Sequence, residues 1–154
     1  MLYYLFDLDE TLIIHPTDIK LMYNVYPNKL LKRLLKNMIG KKYIYTNATY
    51  GHADILLNKL DISKQFKKIY ARDTIPYMKP YVESYKFIEQ DIRKKYNDRN
   101  KYYFFDDRLE NLQTAKSRGW YTIWVNINFL DKPYYVDYAF PNIHTGVMYF
   151  LLEN

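Results

Sequence analysis

The chain has no cysteine. Disulfides and thiolate-held metal sites are therefore excluded, which fits a cytoplasmic or other intracellular reducing compartment. No apolar run approaches the length of a transmembrane helix, so no membrane contact is expected. The N-terminus lacks the basic-then-apolar layout of a signal peptide, and Met1 leads directly into a strand signal, so no targeting segment is expected ahead of the fold. Neither an internal repeat nor a linker interrupts the chain. Its 154 residues are read as one domain, 1–154, large enough for a single well-filled core.

What is present favours folding. Hydrophobic residues make up 49% of the chain, well above the range of disordered segments. The formal charge of +6 would suit a polyanionic partner. The same lysine, asparagine, isoleucine and tyrosine counts are also the usage of an AT-rich genome, which raises lysine without selection for nucleic-acid binding. The run Asn28 to Lys42 carries Lys29, Lys32, Arg33, Lys36, Lys41 and Lys42 with no acid. It reads either as a basic face for nucleic acid or as a solvated helix face whose leucines pack inward.

Strand and helix signals alternate, which argues for an α/β sheet of mostly parallel strands flanked by helices. Strands are expected at Leu2 to Phe6, Tyr43 to Tyr45, near Lys68 to Ala71, Tyr102 to Phe105 and Tyr121 to Val125. Helices are expected from about Pro27 to Ile39, Tyr50 to Lys59, Pro80 to Lys95, Leu109 to Arg118 and Ile143 to Leu152. Three polar clusters then fall just beyond strand carboxyl ends: Asp7/Asp9, Thr46/Asn47 and Asp106/Asp107. Open parallel sheets hold their ligand sites on that edge.

Asp7 and Asp9 lie two residues apart at a strand end, so their carboxylates share one side. Crowded carboxylates repel, and burial makes each charge harder to hold. A divalent cation relieves that cost, which suggests Mg²⁺ and phosphate chemistry. One carboxylate can attack phosphorus while its neighbour handles the leaving-group proton.

With Asp7-Leu8-Asp9-Glu10-Thr11, then Thr46, then Lys79 before Pro80, then Asp106-Asp107, the chain resembles the phosphatases of the haloacid dehalogenase superfamily over roughly residues 1–125. The resemblance implies a Rossmann-like fold and a Mg²⁺ cofactor. It implies Asp7 as the nucleophile that forms an aspartyl-phosphate and Asp9 as the general acid and then base. It also implies that Thr46 donates to a phosphoryl oxygen and that Lys79 offsets the negative charge. The metal would be held by Asp7, Asp106 and the backbone carbonyl of Asp9, with Asp107 on a metal-bound water or one step behind the direct ligands. Dehalogenases lack an equivalent of Asp9 because a halide needs no proton, and P-type ATPases carry threonine there. Aspartate at this position favours a phosphatase, with a phosphomutase as the lesser alternative.

Superfamily members often insert a cap domain. Here 34 residues separate Thr11 from Thr46 and 32 separate Thr46 from Lys79, too few for a full cap in either gap. Ile13 to Tyr26 has room for a flap or small loop only. Thr46-Asn47-Ala48, Gly51-His52-Ala53, Leu60-Asp61-Ile62 and the Asp106 to Asn111 run are similar to pyrimidine 5′-nucleotidases, with Arg108 where those enzymes carry serine. That likeness would give Asn47 and His52 substrate contacts, although a lone histidine near a helix start is also an ordinary capping or surface residue. Asp-Leu-Asp-Glu-Thr-Leu and the short connection resemble instead the capless phosphatases of the polymerase C-terminal domain. The expected substrate is a nucleotide or nucleic-acid-end phosphate; the alternatives are a phosphoprotein phosphatase, or a non-catalytic module of the same fold that binds phosphate or nucleic acid. Oligomeric state is left open.

Overall fold

The computed structural model describes residues 1–93 and 99–153. Six strands form one sheet in the order β3-β2-β1-β4-β5-β6, with every neighbouring pair parallel. They are β1 (Leu2–Phe6), β2 (Lys41–Tyr45), β3 (Ile69–Tyr70), β4 (Lys101–Asp106), β5 (Tyr121–Val125) and β6 (Tyr138–Phe140). The helices are α1 (Lys29–Asn37), α2 (Tyr50–Lys59), α3 (Val82–Ile92), α4 (Leu109–Ser117) and α5 (Ile143–Leu152). This is the expected α/β Rossmann-like architecture, and no cap-sized insertion is seen among the described residues.

Alternation along the strands builds two apolar layers. Tyr4 and Phe6 of β1, with Ile44 and Phe105, pack against leucines of α1 and α2 and Phe150 of α5. Tyr3 and Leu5, with Tyr45 and Phe104, pack against Tyr85 and Ile88 of α3 and Leu112 of α4. Much of the tyrosine excess is thus core, as β-propensity and area favour. Both faces are covered, so the chemistry is left to the strand ends.

Several boundaries differ from expectation for local reasons. α1 starts after Pro27 because Asn28 caps it, its Oδ1 accepting the Leu31 N–H at 3.0 Å. It ends at Asn37, since Met38 has already turned to extended backbone. α3 begins at Val82, two residues inside the expected start, and the expected run to Lys95 passes outside the described residues. β6 gave no sequence signal: three half-buried residues carry no alternation to read.

Gly40 sits at φ +131°, where a Cβ would lie 2.8 Å from the Tyr4 ring and 3.0 Å from the Leu2 carbonyl. Gly40→Ala should therefore lower unfolding free energy by at least about 1–3 kcal/mol in urea titrations, since backbone must shift to admit the methyl.

Candidate active site

β1 is central, and the chain lays β2 and β3 on one side of it before crossing to β4 on the other. The strand order therefore reverses between β1 and β4, and α/β sheets open a crevice at such a point. Asp7 follows β1, with its N–H bonded to the Phe105 carbonyl at 2.9 Å. Asp106 ends β4, and Thr46 follows β2. The backbone thus delivers two carboxylates and a hydroxyl to one edge.

Lys79 lies between these groups and is buried. Its Nζ donates to Asp7 Oδ1 at 2.9 Å, to Asp106 Oδ2 at 2.8 Å and to the Tyr45 carbonyl at 2.8 Å. All three ammonium protons are thereby used. Asn47 holds the lysine from behind: its Nδ2 donates to the Lys79 carbonyl and its Oδ1 accepts the Lys79 N–H, each at 2.9 Å. The structure thus places the Asn47 side chain on the Lys79 backbone as a positioning group. Asp106 is completed by the Arg108 N–H at 2.8 Å and Asn111 Nδ2 at 3.0 Å.

Thr11, given no role from the sequence, bridges the carboxylates. Its hydroxyl lies 3.2 Å from Asp7 Oδ2 and 3.3 Å from Asp107 Oδ1. Thr46 is buried, and its Oγ1 accepts the Ala48 N–H at 3.0 Å. A hydroxyl that accepts in this way still has a proton to donate. The cap of α2 is Thr49, so Thr46 is not needed there.

Burial pushes the Asp7 and Asp106 carboxyls up to about 6, against the pull of Lys79. Burial also raises Asp107, helped by the charge of Asp106. Burial opposes the Lys79 charge, but Asp106 and Asp7 outweigh it and hold the ammonium above its usual range. One ammonium faces three carboxylates, and ligand atoms of Asp7, Asp106 and Asp107 lie within 4.8 Å of one another. The surplus of buried negative charge on oxygen donors fits a hard divalent cation of the Mg²⁺ kind.

A pH dependence follows. Asp7 and Asp106 bind protons more tightly folded than unfolded, so their contribution is fullest near pH 4 and is lost as pH rises through about 6. A bound cation needs the deprotonated forms. The gain in urea midpoint on adding Mg²⁺ to chelated protein should therefore be small at pH 4.5 and increase steadily to pH 7.5.

Asp9 stands apart from this cluster, its side chain 33% exposed. His52 Nε2 lies 2.8 Å from Asp9 Oδ1, and His52 Nδ1 lies 2.7 Å from the Tyr23 hydroxyl. His15 Nε2 contacts the same Asp9 oxygen. Neither His15 nor Tyr23 carries a signal in the sequence, because both sit on a loop without periodicity. The basic run is partly committed elsewhere. Lys42 is buried with its Nζ on the Met38 and Gly40 carbonyls at 2.9 and 3.2 Å, and Lys32 pairs with Asp61 at 2.6 Å. Lys29, Arg33 and Lys36 remain exposed on α1.

No family model matches the sequence, and no curated protein does so either. Solved structures do match in three dimensions. The HAD-hydrolase YfnB from Bacillus subtilis, bound to magnesium, superposes with a TM-score of 0.70 at 14% identity, over 96% of this chain and 97% of that one. The haloacid dehalogenase-like family protein SP0104 from Streptococcus pneumoniae gives 0.64 at 15% identity, over 96% and 97%. The L-2-haloacid dehalogenase from Xanthobacter autotrophicus, with chloropropionic acid covalently bound, gives 0.62 at 15%, over 85% of this chain and 64% of that one. At these identities the likeness is one of fold: the chain has the α/β fold of haloacid dehalogenase superfamily hydrolases. No helix among the described residues is long and apolar enough to cross a membrane.

Proposed function

We propose that this protein is a Mg²⁺-dependent phosphomonoester hydrolase that works through an aspartyl-phosphate on Asp7. The observation that carries the reading is the direct contact of Lys79 with both Asp7 and Asp106 at the reversal point of the sheet, beside Asp107. Asp7, Asp106 and Asp107, with the backbone carbonyl of Asp9, would hold the cation. When bound, it would neutralise phosphoryl charge and screen Asp7 from its neighbours.

An Asp7 oxygen attacks phosphorus, and the bond from phosphorus to the leaving oxygen breaks. Asp9 supplies the proton that the leaving oxygen takes. Water then attacks the aspartyl-phosphate, Asp9 takes its proton, and phosphate and free Asp7 result. The Thr46 hydroxyl donates to a phosphoryl oxygen, and Lys79 offsets the spread negative charge. An acid at position 9 favours this reaction over dehalogenation, because a halide departs without a proton.

The substrate we favour is a nucleotide or a nucleic-acid end. A cavity of about 780 Å³ opens beside Thr11 and Asp107, with apolar Leu12, Val25 and Ile143 and polar Asn24, Asn28 and Asn126 on its walls. Its size and mixed lining suit a nucleoside. Lys29, Arg33 and Lys36 would give a polyanion a second contact.

The test is Mg²⁺-dependent phosphate release from nucleoside 5′-monophosphates, 3′-phosphorylated oligonucleotides, phosphopeptides and sugar phosphates. We expect release from the nucleotide members that is absent in Asp7→Asn. Preference for phosphopeptides would replace the substrate and keep the mechanism. No release from any member, with phosphate or nucleic acid still bound, would leave a binding module.

A further inference from the structure

We propose that Asp9, His15 and His52 form a second metal site, one for a transition-metal ion of the Zn²⁺ type. Binding there goes beyond the phosphatase reading and does not depend on it. The donors come from separate stretches of chain. Asp9 and His15 lie on the loop after β1, and His52 lies in the first turn of α2. One ligand atom from each of Asp9, His15 and His52 lies within 4.8 Å of the other two, and both imidazoles address the same carboxylate oxygen, Asp9 Oδ1, through Nε2.

The loop that carries two of the donors is tightly built. Leu8 O accepts the N–H groups of Thr11, Leu12 and Ile13 at 3.2, 2.9 and 3.2 Å. Glu10 takes a left-handed turn at φ 61°, and its Oε1 accepts the His15 N–H at 3.0 Å. Thr49 caps α2 through the His52 N–H at 3.3 Å. Each donor therefore starts from a fixed backbone.

The donor chemistry selects the metal. Two imidazoles and one carboxylate suit Zn²⁺, Co²⁺ or Ni²⁺, whereas Mg²⁺ prefers oxygen alone. A tetrahedral ion with bonds near 2.0 Å would set the donors about 3.3 Å apart, so a modest opening of the cluster admits it. Three protein ligands leave a coordination position for water or a phosphoryl oxygen. His52 Nδ1 is held by the Tyr23 hydroxyl at 2.7 Å, the kind of outer contact that orients a metal-binding imidazole. Side-chain exposures of 33% for Asp9, 11% for His15 and 15% for His52 leave a path for entry beside a largely enclosed pair of rings.

The two sites would share one residue with different jobs. An ion on the Asp9 carboxylate removes it as proton donor. On the phosphatase reading, one equivalent of Zn²⁺ therefore suppresses turnover even when Mg²⁺ saturates the oxygen cluster.

The experiment is Co²⁺ titration in saturating Mg²⁺, followed by visible absorption, on the full chain. We expect one equivalent to bind with ligand-field bands of a nitrogen-containing site. His15→Ala and His52→Ala should each weaken binding by more than about 100-fold, and Tyr23→Phe by roughly 10-fold, at the low end of what loss of an outer partner costs. Asp106→Asn should leave the bands intact, and thermal melts would show which variants fold. As a check needing no variant, Zn²⁺ should move the ring ¹⁵N signals of two of the three histidines and leave His144 in place. Bands that survive both histidine substitutions but vanish in Asp106→Asn would overturn the site, as would Zn²⁺ leaving all three histidines unmoved. A protein that releases no phosphate would still report on this site through Co²⁺, so the two readings fail separately.

Discussion

Asp9→Asn should slow phosphate release from an alkyl monoester by about 10²–10⁴-fold, the range for loss of a positioned general acid–base group. Its effect on p-nitrophenyl phosphate should be far smaller in the first step, because that leaving group departs without a proton. On the proposed mechanism the same residue would activate water, so phosphoenzyme would then accumulate and a burst of nitrophenolate should precede a slow steady state. Asp7→Asn should differ in kind. With no nucleophile, both substrates should fall together by on the order of 10⁴-fold or more, as when an acyl-transfer nucleophile is removed, and no burst should appear. The geometry motivates the contrast: Asp7 is buried on Lys79 and Thr11, while Asp9 is one-third exposed at the rim. Stopped-flow and acid-quench measurements on the two substrates separate the outcomes. Equal slowing of the first step on both substrates in Asp9→Asn, with no nitrophenolate burst, would remove the proton-transfer role.

Lys79→Met should cost about 3–5 kcal/mol of unfolding free energy near neutral pH, the penalty for removing one partner from a buried ionic cluster. Methionine fills similar volume, so the loss is electrostatic rather than a cavity. Asp7 and Asp106, already raised by burial, would face each other without the ammonium that draws them down. Acidification to about pH 5 should recover much of the loss by protonating them, and Mg²⁺ should recover it at pH 7.5. Urea unfolding at the two pH values, with and without the cation, reads all three effects. Equal destabilisation at both pH values would mean that Lys79 acts through packing.

Much of the architecture could be read in advance because its signals are local. β1, α2, β5 and α5 occupy their expected residues, each a distinct apolar run or an amphipathic stretch between clear breaks. Asp7, Thr46 and Asp106 were legible because the end of a buried strand is itself legible. Lys79 was harder, since lysine is common here and its position depends on Asn47 holding the 79 peptide across 32 residues. The sequence around Asn47 suggested substrate contact and carried no sign of the two bonds its amide makes to the Lys79 backbone. Lys42 looked like part of a basic face, and strand alternation turned it inward beside Tyr4. The grouping of His15, His52 and Tyr23 around Asp9 arises from loop packing, for which no period exists.

The central position of β1 also shapes how the molecule comes together. Its five residues are made before either partner strand, and one of those partners, β4, is synthesised about a hundred positions later. Closing so long a span is slow, because chain entropy is lost before the pairing rewards it. Until β4 docks, the Tyr-Tyr-Leu-Phe stretch has an open edge, a template for pairing with another copy. Asp7 meets Asp106 in the same event, so a nascent chain stopped short of β4 would have its acidic cluster unassembled and its stickiest strand uncovered.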